Sequence, residues 1–270
     1  DTHTEAPDSP RADGGRQVKL RKVLESPSLL LTLNRNSAEY PEASWLCSDR
    51  CPNRQTCIMN NRIECFVPSM PTDDISATVE AFSRSESFFG VTVLSDVSLG
   101  CTQTLRSIAE SASQKYILLY TKDMLLQMGL CSLDRFVAVA EDTGADMLYS
   151  DRYELDGLSD APVRHPAIDC QKGALRDDFD FGPVLVFRTS SFRKAVGAMT
   201  EDYTFGALYD LRLRMRNVVH INEFLYTEIE ADRRLSGVRQ FDYVDPKNRE
   251  VQIEMEKICT EHLKRIGAYL

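Results

Sequence analysis

Three aspartates follow short apolar runs in the first half of the chain, and this placement is typical of ligand binding. The acids are Asp96 after residues 89–94, Asp123 after residues 116–120 and Asp151 after residues 147–149. Apolar runs of this length indicate strands buried in a parallel sheet, and the carboxyl ends of such strands meet at one edge. Charged side chains at that edge face a ligand crevice. The pattern therefore predicts an α/β ligand-binding domain without specifying a reaction.

Strands and helices alternate between residues 63 and 149, and this order brings the three acids together. The predicted strands cover residues 63–67, 89–94, 116–120 and 147–149, and the predicted helices begin at Asp73 or Asp74, at Thr102 and at Ser132. Aspartate and serine are favoured residues at helix N-termini. Repeated strand–helix units of this length fold as a parallel sheet that helices cover on both faces. We therefore expect the ligand crevice above the strand ends.

The second half of the chain adds loops, helices and strands that do not continue the strand–helix repeat. A polar loop follows Asp156, and Gly182 with Pro183 leads into a strand. Helices are predicted at residues 191–199 and 205–216, and strands at residues 218–221 and 224–227. The last segment, residues 245–267, has a proline at the first helical position and an apolar stripe, which predicts a packed terminal helix.

Charge and hydropathy exclude two classes of protein. The chain has 270 residues with a net charge of −9, and its basic residues are scattered among acids. This disfavours binding to a nucleic-acid backbone. No apolar run approaches the roughly 18–20 residues that cross a bilayer, so we predict no transmembrane segment. The glycine patterns of P-loop and dinucleotide sites do not occur either.

Residues 1–58 differ from the rest of the chain because they show no sustained strand or helix period. We predict a poorly ordered N-terminal extension, and a domain that starts at Met59 is the alternative interpretation. Three cysteines at the end of this segment, Cys47, Cys51 and Cys57, are close in sequence to Cys65 in the first predicted strand. Their spacing lacks the paired C-x2-C pattern of structural zinc sites, so it does not favour a metal centre.

An ordered series of motifs runs through the middle of the chain. Its members are Phe66-Val-Pro68, Leu94-Ser-Asp-Val-Ser98 and Leu119-Tyr-Thr-Lys-Asp123, followed by residues 144–151, 179–188, 208–214 and 219–226. This series, over about residues 59–232, resembles family 2 of the nucleotide-sugar-dependent glycosyltransferases, which have the GT-A fold. In that family the first three positions hold a proline, a nucleobase-binding Asp-Asp-Gly-Ser turn and a metal-binding Asp-x-Asp motif.

The resemblance implies a fold, a domain organisation and a reaction. The fold is GT-A-like and Rossmann-like, an α/β domain over residues 59–244 with a mostly parallel sheet flanked by helices and a C-terminal helix at residues 245–270. The reaction is an inverting transfer of a sugar from a nucleotide-sugar donor to a saccharide or glycoconjugate acceptor. Mg²⁺ or Mn²⁺ would neutralise the diphosphate leaving group, and a carboxylate would deprotonate the acceptor hydroxyl.

The resemblance also implies roles for individual residues. The nucleotide-sugar-binding residues would be Pro68, Asp96, Ser98, Lys122, Asp123 and Asp151, the metal ligand would be Asp123, and the catalytic residues would be Asp210 and Asp180. The Asp-x-Asp motif is degenerate here, because Asp123 stands alone. Lys122 beside it could itself supply the positive charge that pairs with phosphate.

The position of the catalytic base departs from the family pattern. The Glu-Asp pair of the family falls on Ala207 and Leu208, which leaves Asp210 as the nearest carboxylate. Asp210 could instead pair with Arg212 or Arg214 on its own helix. Further candidates are Asp177, Asp178 and Asp180 in the preceding loop.

These departures keep a second function open, that of a catalytically inactive GT-A-like binding or assembly module within a larger glycosyltransferase. By resemblance, the expected setting is polysaccharide or glycoconjugate biosynthesis in the cytoplasm, peripheral to the inner face of a membrane, with an additional transferase domain as a partner.

Overall fold

A mixed β-sheet forms the centre of the computed structural model, which describes residues 20–22, 62–70, 72–156, 161–230 and 249–269. Its nine strands are β1 (Leu20–Lys22), β2 (Ile63–Pro68), β3 (Phe88–Leu94), β4 (Tyr116–Tyr120), β5 (Leu126–Met128), β6 (Met147–Asp156), β7 (Val163–His165), β8 (Val184–Arg188) and β9 (Val218–Glu230). The strand order is β1-β3-β2-β4-β8-β6-β9-β5, and β7 pairs with β6. Five strands, β2, β3, β4, β6 and β9, run in one direction, whereas β8 between β4 and β6 runs in the opposite direction.

Helices cover both faces of this sheet. They are α1 (Thr72–Ser83), α2 (Thr102–Ser111), α3 (Ser132–Thr143), α4 (Thr189–Gly197), α5 (Ala207–Leu213) and α6 (Arg249–Ile266). Helices α1 and α3 bury Phe82 and Phe136 in one core. The other four helices contribute Leu105, Phe192, Leu211 and Ile258 to the second core. The predicted α/β class, the sheet flanked by helices and the C-terminal helix are confirmed. The sheet is mixed, because β1, β5, β7 and β8 run opposite to the other five strands.

Strand β4 shows why the apolar runs form the centre of the sheet. All five of its residues are buried, with Leu118 in one core and Leu119 in the other. Successive side chains of a strand point to opposite faces, so a strand covered on both sides must be apolar throughout. The end of β4 therefore lies at the centre of the carboxyl edge, where Lys122 and Asp123 follow it.

Two strands are longer than the sequence predicts. Strand β6 continues from Tyr149 to Asp156, where Arg152 and Glu154 alternate with Tyr153 and Leu155. Residues 218–230 form the single strand β9 instead of two, because β9 stays paired with β6 across a register shift at Asp151. These two extensions carry charged side chains beyond the carboxyl ends of the neighbouring strands.

Much of the predicted extension lies outside the described residues. Within residues 1–58 only β1 is described, and it pairs antiparallel with β3. The cysteines Cys47, Cys51 and Cys57 lie outside the described ranges, whereas Cys65 is buried in β2. The division of the chain at residues 58 and 244 stays a prediction. No helix within the described ranges is long and apolar enough to span a membrane.

Helix α6 is attached to the domain through a buried side chain and a carboxylate. The side chain of Ile258 is fully buried against Gly206, where an added Cβ would lie 2.2 Å from its Cδ1 atom. Glu254 accepts hydrogen bonds from three consecutive backbone N–H groups of residues 204–206, at 2.9, 2.6 and 2.7 Å. These bonds connect α6 to the loop that precedes α5, next to the pocket described below.

Replacing Glu254 with alanine is expected to lower the free energy of unfolding by about 1.5–3 kcal/mol, because hydrogen bonds to a charged group contribute about that much. Urea unfolding of the variant measures this loss. The control is Glu256→Ala, which removes an exposed carboxylate from the same helix. Equal effects of the two substitutions would contradict an anchoring role for Glu254.

Candidate functional site

A pocket of about 390 Å³ is lined by residues that follow β4, by residues of β6 and β8, by the loop before β8, and by helices α5 and α6. Its polar lining comes from Lys122, Arg152, Asp177, Asp180 and Arg212, and its apolar lining includes Met147, Phe181, Leu185, Phe187 and Leu208. Ligands of open α/β sheets bind at the carboxyl edge of the strands, and this pocket begins there. A mixture of apolar walls and a few convergent polar groups is typical of small-molecule sites.

Arg152 is the centre of an ion-pair network at the mouth of the pocket. Its guanidinium donates two hydrogen bonds to Asp180, at 3.2 and 3.1 Å, and one to Glu154 at 2.8 Å. Its Nε atom also lies 3.2 Å from Glu228 Oε2, an ion-pair contact without hydrogen-bond geometry. The side chain of Arg152 is only 7% exposed. Such a guanidinium requires carboxylate partners, because burial of an unpaired charge is costly.

Lys122 shares one of these carboxylates. Its Nζ forms an ion pair with Glu228, whose side chain is 3% exposed. Glu228 on β9 therefore lies between Lys122 and Arg152. The sequence predicts Lys122 as a cation that could pair with phosphate. The structure places Lys122 in the pocket lining with a buried carboxylate as a partner.

Asp180 is held by three groups around its carboxylate. In addition to the bidentate pair with Arg152, it accepts a hydrogen bond from the backbone N–H of Gly182 at 2.9 Å and lies 3.0 Å from His165 Nε2. Burial raises the pKa of Asp180, but the hydrogen bonds and charge of Arg152 outweigh burial and hold the pKa below its ordinary value. Asp180 is therefore ionised at neutral pH.

The lowered pKa of Asp180 predicts a pH dependence of stability. Its ion pairs contribute above the pKa of the unfolded chain, near 3.9, and the contribution is lost as pH falls through the lower folded pKa. Because the side chain is 53% exposed, we expect the contribution to be about 0.5–1 kcal/mol. Urea unfolding of Asp180→Asn and of the native chain should show a gap that is constant above about pH 5 and shrinks below about pH 4. A stability gap that widens at low pH would contradict this pairing. The control is Asp142→Asn, which removes an exposed acid of α3 and measures the background effect of surface charge.

Gly182 allows the close packing of the loop before β8. Its φ of +73° lies in the left-handed region, and an added Cβ would meet the hydroxyl of Tyr226 at 2.2 Å. Only glycine fits there without displacing Tyr226 or Arg152. The Gly182–Pro183 turn predicted from the sequence thus brings the loop of Asp180 against β6 and β9.

Asp210 does not line the pocket. Its side chain is 2% exposed, and its two oxygens accept hydrogen bonds from Arg214 Nε at 3.0 and 2.9 Å. Arg265 of α6 lies 3.6 Å away as a second cation. The alternative interpretation, an ion pair within its own helix, describes this residue. The same helix presents Leu208 to the pocket instead.

Asp151 lies in the interior of β6 and does not end a strand. It is 1% exposed, and its Oδ1 atom accepts a hydrogen bond from the N–H of Ala167 at 2.8 Å and lies 2.8 Å from His220 Nε2. His220 also contacts Asp169, at 2.8 Å through Nδ1. This arrangement connects the segment after β7 to the sheet, and Asp151 is not part of the pocket lining.

The remaining predicted binding residues lie further along the same sheet edge. Pro68 ends β2 in register with Leu94, Asp96 is exposed with a φ of +57°, and the Oγ atom of Ser98 accepts a hydrogen bond from the N–H of Gly100 at 3.1 Å. These three residues follow β2 and β3, which are adjacent to β4. These three predicted binding residues therefore lie outside the pocket itself, whereas Lys122 lines it.

The residues at the end of β4 do not fit a Mg²⁺ or Mn²⁺ site. Asp123 is an exposed carboxylate beside the ammonium of Lys122, whereas these cations require several oxygen ligands. Within the described parts of the chain, no group of three or more His, Cys, Asp or Glu side chains is arranged to hold a metal ion. Asp123, which the sequence predicts as a metal ligand, is therefore not joined by further ligands among these residues.

Sequence reasoning missed three residues of the site, Arg152, Arg212 and Glu228. The alternation of charged and apolar residues in the extension of β6 was a signal for Arg152. Glu228 pairs with residues 76 and 106 positions away, and nothing in the local pattern indicates these partners. Arg212 was considered only as a partner of Asp210, although its side chain points to the pocket.

Comparisons with known proteins add neighbours of similar structure. No family model and no curated protein matches the chain. Among solved structures, it is similar to S. aureus TarS 1–349 in complex with UDP-GlcNAc, with 12% identity over 75% of this chain and 73% of that chain and a TM-score of 0.45. It is also similar to the mannosyltransferase PcManGT from Pyrobaculum calidifontis in complex with GDP-Man and Mn²⁺, with 9% identity over 62% of this chain and 56% of that chain and a TM-score of 0.40. Identity this low does not transfer any residue role to the present chain.

Proposed function

We propose that this chain is a glycosyltransferase domain that binds a nucleotide-activated sugar at the carboxyl edge of its sheet. The observation that carries the proposal is the pocket beside the end of β4, which combines apolar walls with the cations Lys122, Arg152 and Arg212. A nucleotide sugar offers a negatively charged diphosphate next to a polar sugar ring. The ordered motifs at the ends of β2, β3 and β4 are the second support.

The strand order suggests how the donor would lie. The nucleoside would bind over the ends of β2 and β3, near Pro68, Asp96 and Ser98. The diphosphate would face the end of β4, and the sugar would enter the pocket beyond it. This direction follows the adjacent order β3-β2-β4 along the edge.

The leaving diphosphate would be stabilised by the side chains of the protein. Fixed cations in a partly buried site stabilise developing negative charge without reorganisation of water. Lys122 is placed for this role at the end of β4, while Glu228 holds its ammonium in position. The poor match of Asp123 to a divalent cation is the reason that no step is assigned to a metal.

Asp180 is our candidate for the base that deprotonates an acceptor hydroxyl. It lines the pocket and is ionised at neutral pH, two properties that Asp210 does not combine. Asp177 is the other carboxylate of the pocket lining. An inverting transfer requires such a base on the side of the sugar opposite the leaving group.

Calorimetric titration with nucleotide sugars tests the donor site. UDP-GlcNAc and GDP-mannose, the ligands of the two neighbouring structures, are the first donors, and uridine and guanosine are the neutral comparators. We expect binding of one donor at least about tenfold tighter than its nucleoside, since charge-assisted hydrogen bonds contribute about 1.5–3 kcal/mol. Asp96→Ala should weaken binding of both donor and nucleoside, whereas Asp142→Ala on the far side of α3 should not. A folded chain that binds no nucleotide sugar would refute the proposal.

A second candidate function is the non-catalytic binding or assembly module. Leu208 occupies the position of the family's acid, and both Asp180 and Asp210 are engaged in ion pairs, which favours this alternative. The two functions differ in turnover, because a module would bind the donor without transferring or hydrolysing the sugar. A saccharide or glycoconjugate acceptor, a further transferase domain and a cytoplasmic, membrane-peripheral setting belong to both candidates.

A further inference from the structure

The guanidinium of Arg212 differs from the other cations of the pocket because no described residue forms an ion pair with it. Arg152 and Lys122 share Glu228, and Arg152 also has Asp180 and Glu154. Arg212 is 9% exposed, and within the described ranges its buried Nη2 atom has no hydrogen-bond partner. A buried donor without a partner is unfavourable in the free protein.

Aromatic rings hold this guanidinium in place. Its Cζ atom lies 4.8 Å from the ring centroid of Tyr209 and 5.3 Å from that of Phe181. Both rings are fixed, because the hydroxyl of Tyr209 donates a hydrogen bond to the carbonyl of Leu175 and Phe181 packs edge-on against Tyr149 at 4.9 Å. The position of the guanidinium is therefore set before any ligand arrives.

The surroundings compensate the charge of Arg212 only in part. Burial lowers the pKa of Arg212, and the nearby Tyr209, Cys170, Asp177 and Asp178 oppose this effect only in part. Asp178 is committed to Arg176, with which it forms two hydrogen bonds at 2.9 and 2.8 Å. A fixed, buried and unpaired guanidinium in a pocket lining attracts an anion, since guanidinium binds phosphate and carboxylate through paired hydrogen bonds.

We infer that Arg212 is an anion-binding residue of the pocket in addition to Lys122, and that it receives a phosphate or carboxylate oxygen of the bound ligand. This inference deepens the proposed function. The identity of the ligand rests on that function, whereas the anion site itself does not. The anion could belong to the diphosphate of the donor or to a phosphate or uronate group of the acceptor. The chemistry of the contact is the same in both cases.

Calorimetric titration of the full chain with pyrophosphate tests the anion site directly. Arg212→Met keeps an apolar side chain against the two rings and removes the charge. We expect the affinity for pyrophosphate to fall by about 10- to 100-fold in this variant, the loss expected for hydrogen bonds to a charged group. Arg212→Lys should show a smaller loss, because it keeps the charge but not the paired geometry. Arg84→Met, which removes an exposed arginine directly after α1, should bind as the native chain does.

Thermal unfolding of the variants separates binding from a structural role. Removal of a buried, unpaired charge should leave the Tm of Arg212→Met unchanged or higher. Pyrophosphate should raise the Tm of the native chain and of Arg84→Met, but not that of Arg212→Met. If Arg212→Met fails to fold, the loss of pyrophosphate affinity in Arg212→Lys decides whether Arg212 binds the anion. The inference is overturned if the native chain does not bind pyrophosphate, or if the Arg212 variants bind it as the native chain does.

The source of the anion and the proposed function are tested by further ligands. If Arg212→Met loses affinity for UDP or GDP but not for uridine or guanosine, the anion belongs to the donor. Losses for glucuronate or a sugar monophosphate, with UDP and GDP unaffected, would assign it to the acceptor. If pyrophosphate binds through Arg212 and no nucleotide sugar binds, the anion site stands and the proposed function fails. If nucleotide sugars bind to the native chain, and Arg212→Met loses no affinity for pyrophosphate, UDP, GDP, glucuronate or a sugar monophosphate, the proposed function stands and the anion site fails.

Discussion

Replacement of Glu228 by glutamine is expected to lower the free energy of unfolding by about 3–5 kcal/mol, the cost of removing one partner from a buried ion pair. The substitution keeps the size of the side chain and removes the negative charge between Lys122 and Arg152. Arg152 would retain Asp180 and Glu154, which lie on its other side, but its Nε would face a neutral amide. Urea unfolding at neutral pH measures the loss.

A matched control lies on the same strand. Glu223 of β9 pairs with Arg135, and both side chains are about 40% exposed, at 44% and 39%. Glu223→Gln should cost no more than about 1 kcal/mol, because exposed ion pairs are screened by water. If Glu228→Gln cost no more than Glu223→Gln, the network at the mouth of the pocket would not be the stabilising feature described here.

Replacement of Asp180 by asparagine is expected to lower the rate of sugar transfer by about 10²–10⁴-fold, the usual contribution of a positioned base. Asparagine keeps an acceptor for the N–H of Gly182 and for Arg152, so donor affinity should change much less than turnover. Release of UDP or GDP from the donor, measured with and without saccharide acceptors, follows the reaction. Titration with the same donor measures binding separately.

Asp178→Asn is the control for this effect. Asp178 lies two residues away in the same loop, and its partner is Arg176 rather than a residue of the pocket lining. Transfer by Asp178→Asn should match that of the native chain. An equal loss of transfer rate in both variants would indicate a role of the whole loop. An unchanged transfer rate in Asp180→Asn would show that Asp180 is not the base. A chain that binds the donor but shows no transfer in any form would support the non-catalytic module.

The sequence was sufficient to predict the central strands of the fold. Residues 116–120 form a continuous apolar run, and residues 63–67 and 89–94 are apolar except for Glu64 and Thr92. Strands buried on both faces typically have this composition. The residues that follow these strands were therefore correctly predicted to lie at the carboxyl edge of the sheet. The direction of β8 could not be predicted, because an apolar run of five residues is compatible with either direction.

The site was harder to predict because its contacts connect distant residues. The sequence could not show that Glu228 lies between Lys122 and Arg152, since this depends on how β9 pairs with β6 across a register shift. The assignment of Asp151 to a strand end was wrong for a related reason. Arg152 and Glu154 resemble loop residues in a linear reading, whereas β9 and β7 pair with this part of β6 and make it a strand.

The central claim is that the protein's own cations, rather than a metal ion, hold the diphosphate of a nucleotide sugar. The most direct test is calorimetric titration of the full chain with UDP-GlcNAc and GDP-mannose, once in EDTA and once in Mn²⁺. We predict that one donor binds in EDTA with the same affinity as in Mn²⁺. Lys122→Met should weaken that binding by about 10-fold or more, in keeping with the loss of a charge-assisted contact. Binding that requires Mn²⁺ and is insensitive to Lys122→Met would contradict the account.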